Sequence, residues 1–217
     1  MFLKYLKAIK VASLLLLIGM GTASCGELEK EITHWFASEN TPDLPGNYHF
    51  LSDKGIKVYL PEDFKKYSLA SYQELLKKNT PKNNYNYALE RLSMLKKMEG
   101  SFYIFYDENS GSTFTVNTIA HFKFSREDAS QLLGYIKLTN AQKEGEKKLN
   151  IKKLTAKYTG NSNQQIFKSI HSIENLKSKT NSYNTAYIIS SNNNTVIMQL
   201  LTPMEVAFDA YIQKLKM

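Results

Sequence analysis

Residues 101–124 read SFYIFYDENSGSTFTVNTIAHFKF, and the order of residue types in this stretch decides the fold. Ser101 to Asp107 is aromatic and β-branched, and Glu108-Asn109-Ser110-Gly111 has turn chemistry. Thr113 to Phe124 then sets Phe114, Val116, Ala120, Phe122 and Phe124 against Thr115, Asn117, His121 and Lys123. Strand-like runs on either side of a short polar connection predict a β-hairpin. Hairpins force antiparallel pairing. The second strand carries an apolar side for a core and a polar side expected to face solvent. The first differs, because Phe102-Tyr103-Ile104-Phe105-Tyr106 is large on both sides. Either it is a central strand covered on both faces, or one aromatic face is open to a glycan or protein, with Tyr103 and Tyr106 as binding residues.

The same pattern repeats on both sides of this stretch. Tyr48 to Leu51 and Ile56 to Leu60 flank a turn at Ser52-Asp53-Lys54-Gly55. Leu149 to Tyr158 and Gln165 to Ile173 are separated by Thr159-Gly160-Asn161-Ser162-Asn163, and Tyr183 to Ser191 and Thr195 to Leu201 by Asn192-Asn193-Asn194. Glycine and asparagine suit the left-handed backbone of such turns. Three helix starts share a hydroxyl followed three positions later by an acid: Ser71 with Glu74, Ser125 with Asp128, and Thr202 with Glu205. Pro203 would take the first helical position of the last. Ala129, Leu132, Leu133 and Ile136 share one helical face, as do Met204, Phe208, Tyr211, Ile212 and Leu215. A fourth helix is predicted from Tyr85 to Glu99, with Leu89, Leu92 and Leu95 inward and Gly100 as its stop.

Hairpins interleaved with amphipathic helices define an α+β class: an antiparallel sheet of hairpins with helices packed on it, one domain over residues 47–217. Within it, Gly55-Ile56-Lys57-Val58-Tyr59-Leu60-Pro61-Glu62-Asp63-Phe64 is a strand leading into proline and an aromatic. With the final hairpin and the helix ending at Leu215, it resembles PsbP-type domains. That resemblance implies a binding or accessory module.

The amino terminus carries an address. Lys4, Lys7 and Lys10 precede the apolar segment Val11 to Gly21, and Thr22-Ala23-Ser24 leads to Cys25, the single cysteine. Crossing a bilayer takes about 20 apolar residues, so this shorter segment is a secretory signal core. Small residues before a lone cysteine resemble the lipobox of bacterial lipoproteins. The resemblance implies that residues 1–24 are removed by cleavage between Ser24 and Cys25, and that Cys25 is lipidated. It places the protein in the bacterial cell envelope, lipid-anchored to a membrane. Gly26, where an aspartate would retain a lipoprotein at the inner membrane, favours the outer membrane, on its periplasmic side or its surface. Residues 25–46 form the lipidated tether, closing on Pro42, Pro45 and Gly46. An ordinary secretory signal that leaves Cys25 as a free thiol is the alternative.

Composition then removes whole classes of chemistry. The formal charge is +8, and only Arg91 and Arg126 among the basic residues are arginine. Removing the three signal lysines leaves +5 on scattered lysines, which is no nucleic-acid-reading stripe. With Cys25 acylated, no thiol remains for disulfides, cysteine nucleophiles or cysteine-bound zinc. His34 lies in the tether, and His49, His121 and His171 fall on separate strands without a second ligand at helical spacing. No metal, cofactor or catalytic residue is therefore assigned. His121, with Asn117 and Lys123 on the polar side of its strand, is the best single candidate for a general base if the fold brings it a carboxylate partner; otherwise it is a solvent-facing strand residue, and the three are kept as binding positions. The expectation is a lipid-anchored, non-catalytic envelope module that binds a protein or glycan partner. The alternatives are an envelope hydrolase with a site assembled from scattered residues, and an immunity- or inhibitor-type lipoprotein.

Overall fold

Asn192 and Asn193 take φ values of 47° and 59°, a backbone state that asparagine side chains tolerate. They close β8 (Thr180–Ser191) onto β9 (Asn194–Thr202), with Ser191 paired to Asn194. A computed structural model describes residues 44–51, 55–79 and 82–217. The signal segment, Ser24, Cys25, most of the tether and the predicted turn at Ser52 to Lys54 lie outside those residues. Glu108 to Gly111 likewise joins β4 (Ser101–Asp107) to β5 (Ser112–Ile119), and β6 (Leu149–Gly160) folds back on β7 (Gln164–Asn175).

With β3 (Lys65–Tyr67) these strands form one seven-stranded sheet in the order β3-β4-β5-β9-β8-β7-β6, antiparallel throughout. A separate two-stranded ribbon pairs β1 (Asn47–Phe50) with β2 (Lys57–Leu60). Four helices complete the described elements: α1 (Leu69–Asn79), α2 (Lys82–Lys96), α3 (Arg126–Lys147) and α4 (Asp209–Gln213). The result is a single α+β domain dominated by sheet.

The sheet is covered on both faces. On one, Leu51, Ile56, Val58 and Leu60 of the ribbon, with Phe208 and Ile212 beside α4, pack on Phe105, Phe114, Val116, Tyr187 and Met198. On the other, Leu95, Ala129 and Ile136 of α2 and α3 pack on Phe167, Ala186, Ile188 and Ile197. Tyr72, Leu76 and Leu92 cover Ile104 and Tyr106 at one end of that helical face. Of the two edges, β3 is only three residues long, and the long edge β6 carries Lys152 and Lys157 and a register shift between Lys153 and Thr155. Charge and a bulge along an outer strand discourage pairing with another chain.

Several expectations are corrected. β5 ends at Ile119 rather than Phe124, because Ile119 pairs with Thr195 beside the β9 turn and Thr118 with Ser101 at the start of β4, so both neighbours run out there. Its polar side does not face solvent, since every residue of β5 is buried, Tyr72 of α1 hydrogen-bonds to Thr113, and Asn117 donates to Leu95 O of α2. The first helix is capped by Ser68, whose Oγ accepts from Ser71 N at 3.0 Å, rather than by Ser71. No helix starts at Thr202, whose hydroxyl donates to Met204 O at 2.6 Å. The chain first runs on without a helix so that Phe208 reaches the core, and α4 begins only at Asp209. The helix predicted from Tyr85 to Glu99 is α2, displaced towards the amino terminus, with Leu92 and Leu95 buried. Ser125 is as expected, with both halves of the capping box formed with Asp128.

Candidate functional site

The five residues singled out in the sequence are not gathered into one site. Tyr103 points to the ribbon face, where it is 7% exposed with Lys66 Nζ 4.7 Å from its ring centroid. Tyr106 points to the helical face and meets the rings of Tyr67 and Tyr72 edge-on. Asn117 lies below α2, where its Nδ2 donates to Leu95 O at 3.2 Å. His121 and Lys123 sit beyond β5 on the connection to α3. Lys123 Nζ donates to Ser162 O at 3.0 Å.

His121 does bring a serine with it. Its Nδ1 lies 3.2 Å from Ser190 Oγ and 3.3 Å from Asn194 O. Ser190 is fully buried, donates to Phe122 O at 2.7 Å, and accepts from Thr195 Oγ1 at 3.0 Å. The Ser190 hydroxyl is thus aimed at a carbonyl, and the Asn194 carbonyl beside Nδ1 can only accept. The group ties the end of β5 to the β8–β9 hairpin.

Two more polar clusters were not legible in the sequence. Asp209 accepts from Lys168 Nζ at 2.5 Å and from the Tyr187 hydroxyl at 2.7 Å, fastening α4 to the sheet. Burial, and then the Asp209 carboxylate, push the Tyr187 hydroxyl far up, so it remains a donor. On the helical face, strand register sets Thr115, Gln199, Ala186 and Ser169 in one row across β5, β9, β8 and β7, with Asn184 and His171 in the next. Gln199 Oε1 accepts from Arg91 Nη2 at 3.1 Å. Thr115 Oγ1, Ser169 Oγ, Asn184 Oδ1 and both His171 nitrogens have no hydrogen-bond partner among the described residues. A small hollow of about 90 Å³ lies elsewhere, between Gln164, Ile189, Ile212 and Leu215. Small-molecule sites usually take roughly 300–1,000 Å³.

An exposed constellation lies on the outer side of the ribbon. Alternation buries Val58 and Leu60 and turns Tyr48, Phe50, Lys57 and Tyr59 outward. The carboxyl-terminal segment joins them through a bridge between Lys57 and Lys216. Three ammonium groups then lie over three rings: Lys57 on Phe50 at 4.5 Å, Lys216 on Tyr48 at 4.6 Å, and Lys214 on Tyr59 at 4.5 Å. Tyr59 stacks on Tyr211 at 6.0 Å and meets Tyr48 edge-on at 4.8 Å. The amino-terminal strand of backbone arrives at this same surface. Tyr59 OH donates to Leu44 O at 2.8 Å and Tyr211 OH to Pro45 O at 3.2 Å. Gly46 passes so near Leu60 that a Cβ there would lie 2.4 Å from its carbonyl oxygen.

The sequence matches no known family description, and no curated protein matches it. Solved structures do resemble the fold. The solution structure of cyanobacterial PsbP (CyanoP) from Synechocystis sp. PCC 6803 aligns over 84% of this chain and 86% of its own, at 8% identity and a TM-score of 0.44. A protein of Bacteroides thetaiotaomicron VPI-5482 aligns over 74% of this chain and 44% of its own, at 12% identity and a TM-score of 0.39. PsbP, which the sequence resembled, is therefore among the structural neighbours. No activity or partner is carried over from either protein. No helix among the described residues is long and apolar enough to cross a membrane.

Proposed function

We propose that this chain is a lipid-anchored protein of the bacterial cell envelope, held in the outer membrane through Cys25, whose domain is a non-catalytic binding or accessory module. The observation that carries the reading is the entry of the chain. Leu44 and Pro45 are fastened to Tyr59 and Tyr211 on the ribbon face, so a lipid at Cys25 would pull the domain towards the bilayer from that side. Two or three acyl chains suffice for stable anchoring. The helical face is then turned outward and is where a protein or glycan partner is met. Leu138 of α3, 69% exposed, marks that face. Ser190 supports the non-catalytic reading, because its hydroxyl is committed to Phe122 O.

Metabolic labelling with an alkyne fatty acid tests the anchor, and a photocrosslinking residue at Leu138 tests the outward face. The label is expected on the wild-type chain and absent from Cys25→Ala, and the crosslinker is expected to capture one specific envelope component. A label that persists in Cys25→Ala, or a crosslinker at Leu138 that captures nothing specific, would sink the reading.

A further inference from the structure

The ribbon face combines features that rarely share one surface. Phe50 is 64% exposed and Tyr48 38% exposed, while Lys57, Lys216 and Lys214 stand over the rings of Phe50, Tyr48 and Tyr59. These residues come from two strands and from a segment more than 150 positions later, and the Lys57–Lys216 bridge holds them in one sheet-like surface. A sugar-binding platform needs open ring faces on which a pyranose can stack. Here each of the three rings already carries an ammonium group over one face, so the surface presents positive charge interleaved with aromatic rings, of which Phe50 is the most exposed. Aromatic rings beside lysines suit the headgroup layer of a membrane, where the ring body reaches acyl chains and the cation meets phosphate. The chain reaches the domain at this same surface, through Leu44 and Pro45.

We infer that the outer face of the β1–β2 ribbon, with Lys214 and Lys216, docks on a bilayer surface rich in anionic phospholipid headgroups. This deepens the reading of a membrane-held module by naming what the ribbon face meets. Phe50 enters the interface, and Lys57, Lys214 and Lys216 pair with lipid phosphates. Each lysine near an anionic surface contributes about fivefold in affinity, so the three together contribute roughly a hundredfold.

The test uses the full chain carrying Cys25→Ala, so that acylation plays no part, and measures sedimentation with phosphatidylcholine vesicles with and without phosphatidylglycerol. The amino-terminal segment is common to every variant and cancels in the comparison. The triple variant Lys57→Gln, Lys214→Gln, Lys216→Gln is expected to lose most of the phosphatidylglycerol-dependent affinity, roughly a hundredfold. A control with the same charge change on the β6 side, Lys152→Gln, Lys157→Gln, Lys177→Gln, is expected to stay within about threefold, as sites beyond a Debye length contribute little. Phe50→Ser, at a position with no core role, is expected to weaken binding with the fold unchanged by circular dichroism. The inference is overturned if the wild type binds both vesicle types alike, if both triple variants fall equally, or if Phe50→Ser and the ribbon triple bind as the wild type does. Tighter binding of soluble polyglucuronate, lost in the same triple variant, would make the face a glycan site instead. Failure here leaves the fatty-acid label on Cys25 untouched, so the anchor and the docking face are judged separately.

Discussion

His171 is fully buried on β7, beneath the helices, with both ring nitrogens lacking a partner among the described residues. Burial, reinforced by the nearby charge of Lys153, pushes its pKa down to about 3. The folded protein therefore keeps this imidazole neutral, while the unfolded chain takes up a proton near pH 6.5. Its contribution to stability is complete above about pH 6.5 and is lost progressively as pH falls towards 3, by up to about 1.4 kcal/mol per pH unit. Between pH 6.5 and 5 that is roughly 2 kcal/mol, or some 4–8 °C in Tm for a domain of this size. Thermal melts should show this slope in the wild type and a shallower one in His171→Gln. Equal slopes would contradict the assignment. His49, pushed down by burial and then by Lys66, adds the same sign and leaves the variant some residual slope. Gly100 is a second sensitive residue, with φ of +92° and a position where a Cβ would lie 1.8 Å from Thr118 O. Gly100→Ala should cost about 3 kcal/mol or more, combining a clash with backbone strain, and chemical denaturation would measure it.

The clearest element is α3, whose entrance at Ser125 was legible from two residues. Ser125→Ala removes one half of the capping box and should lower stability by about 1 kcal/mol, with faster amide exchange confined to the first turn of α3. No change in exchange there would show that the cap is idle. At α4 the fastening is tertiary. Asp209→Ala removes the partner of Lys168 and Tyr187 and should destabilise by about 2–4 kcal/mol, while Asp209→Asn should recover part of that by still accepting from Tyr187. The contrast between these helices shows what sequence pattern can and cannot convey. Asn192 and Asn193, the Ser101–Ile119 hairpin and Ser125 are local devices, written in consecutive residues, and they were readable. Thr115 and Asn117 looked solvent-facing because alternation reports two sides of a strand but not what covers each. Thr202-Pro203 looked like a helix start because capping chemistry is local, whereas the demand that Phe208 fill the core is not. The ribbon surface was not legible at all, since Tyr48, Lys57 and Lys216 meet only after the chain has folded.

On the scale of the whole molecule, a long antiparallel sheet separates two unlike surfaces. One receives the incoming chain amid rings and lysines, and the other is helical. This asymmetry would give a tethered domain a preferred orientation at the bilayer. Because Cys25 is the single cysteine, an acylated chain has no other thiol, and one introduced cysteine can carry one environment-sensitive dye. Phe50→Cys and Leu138→Cys place that dye on the ribbon face and on the helical face. The decisive measurement is collisional quenching of these dyes in native membranes by a water-soluble quencher and by a lipid-borne one. The account predicts that the dye at position 50 is shielded from the aqueous quencher and reached by the lipid-borne one, while the dye at position 138 behaves in the opposite way. Equal aqueous quenching at both positions, or the reverse pattern, would contradict it.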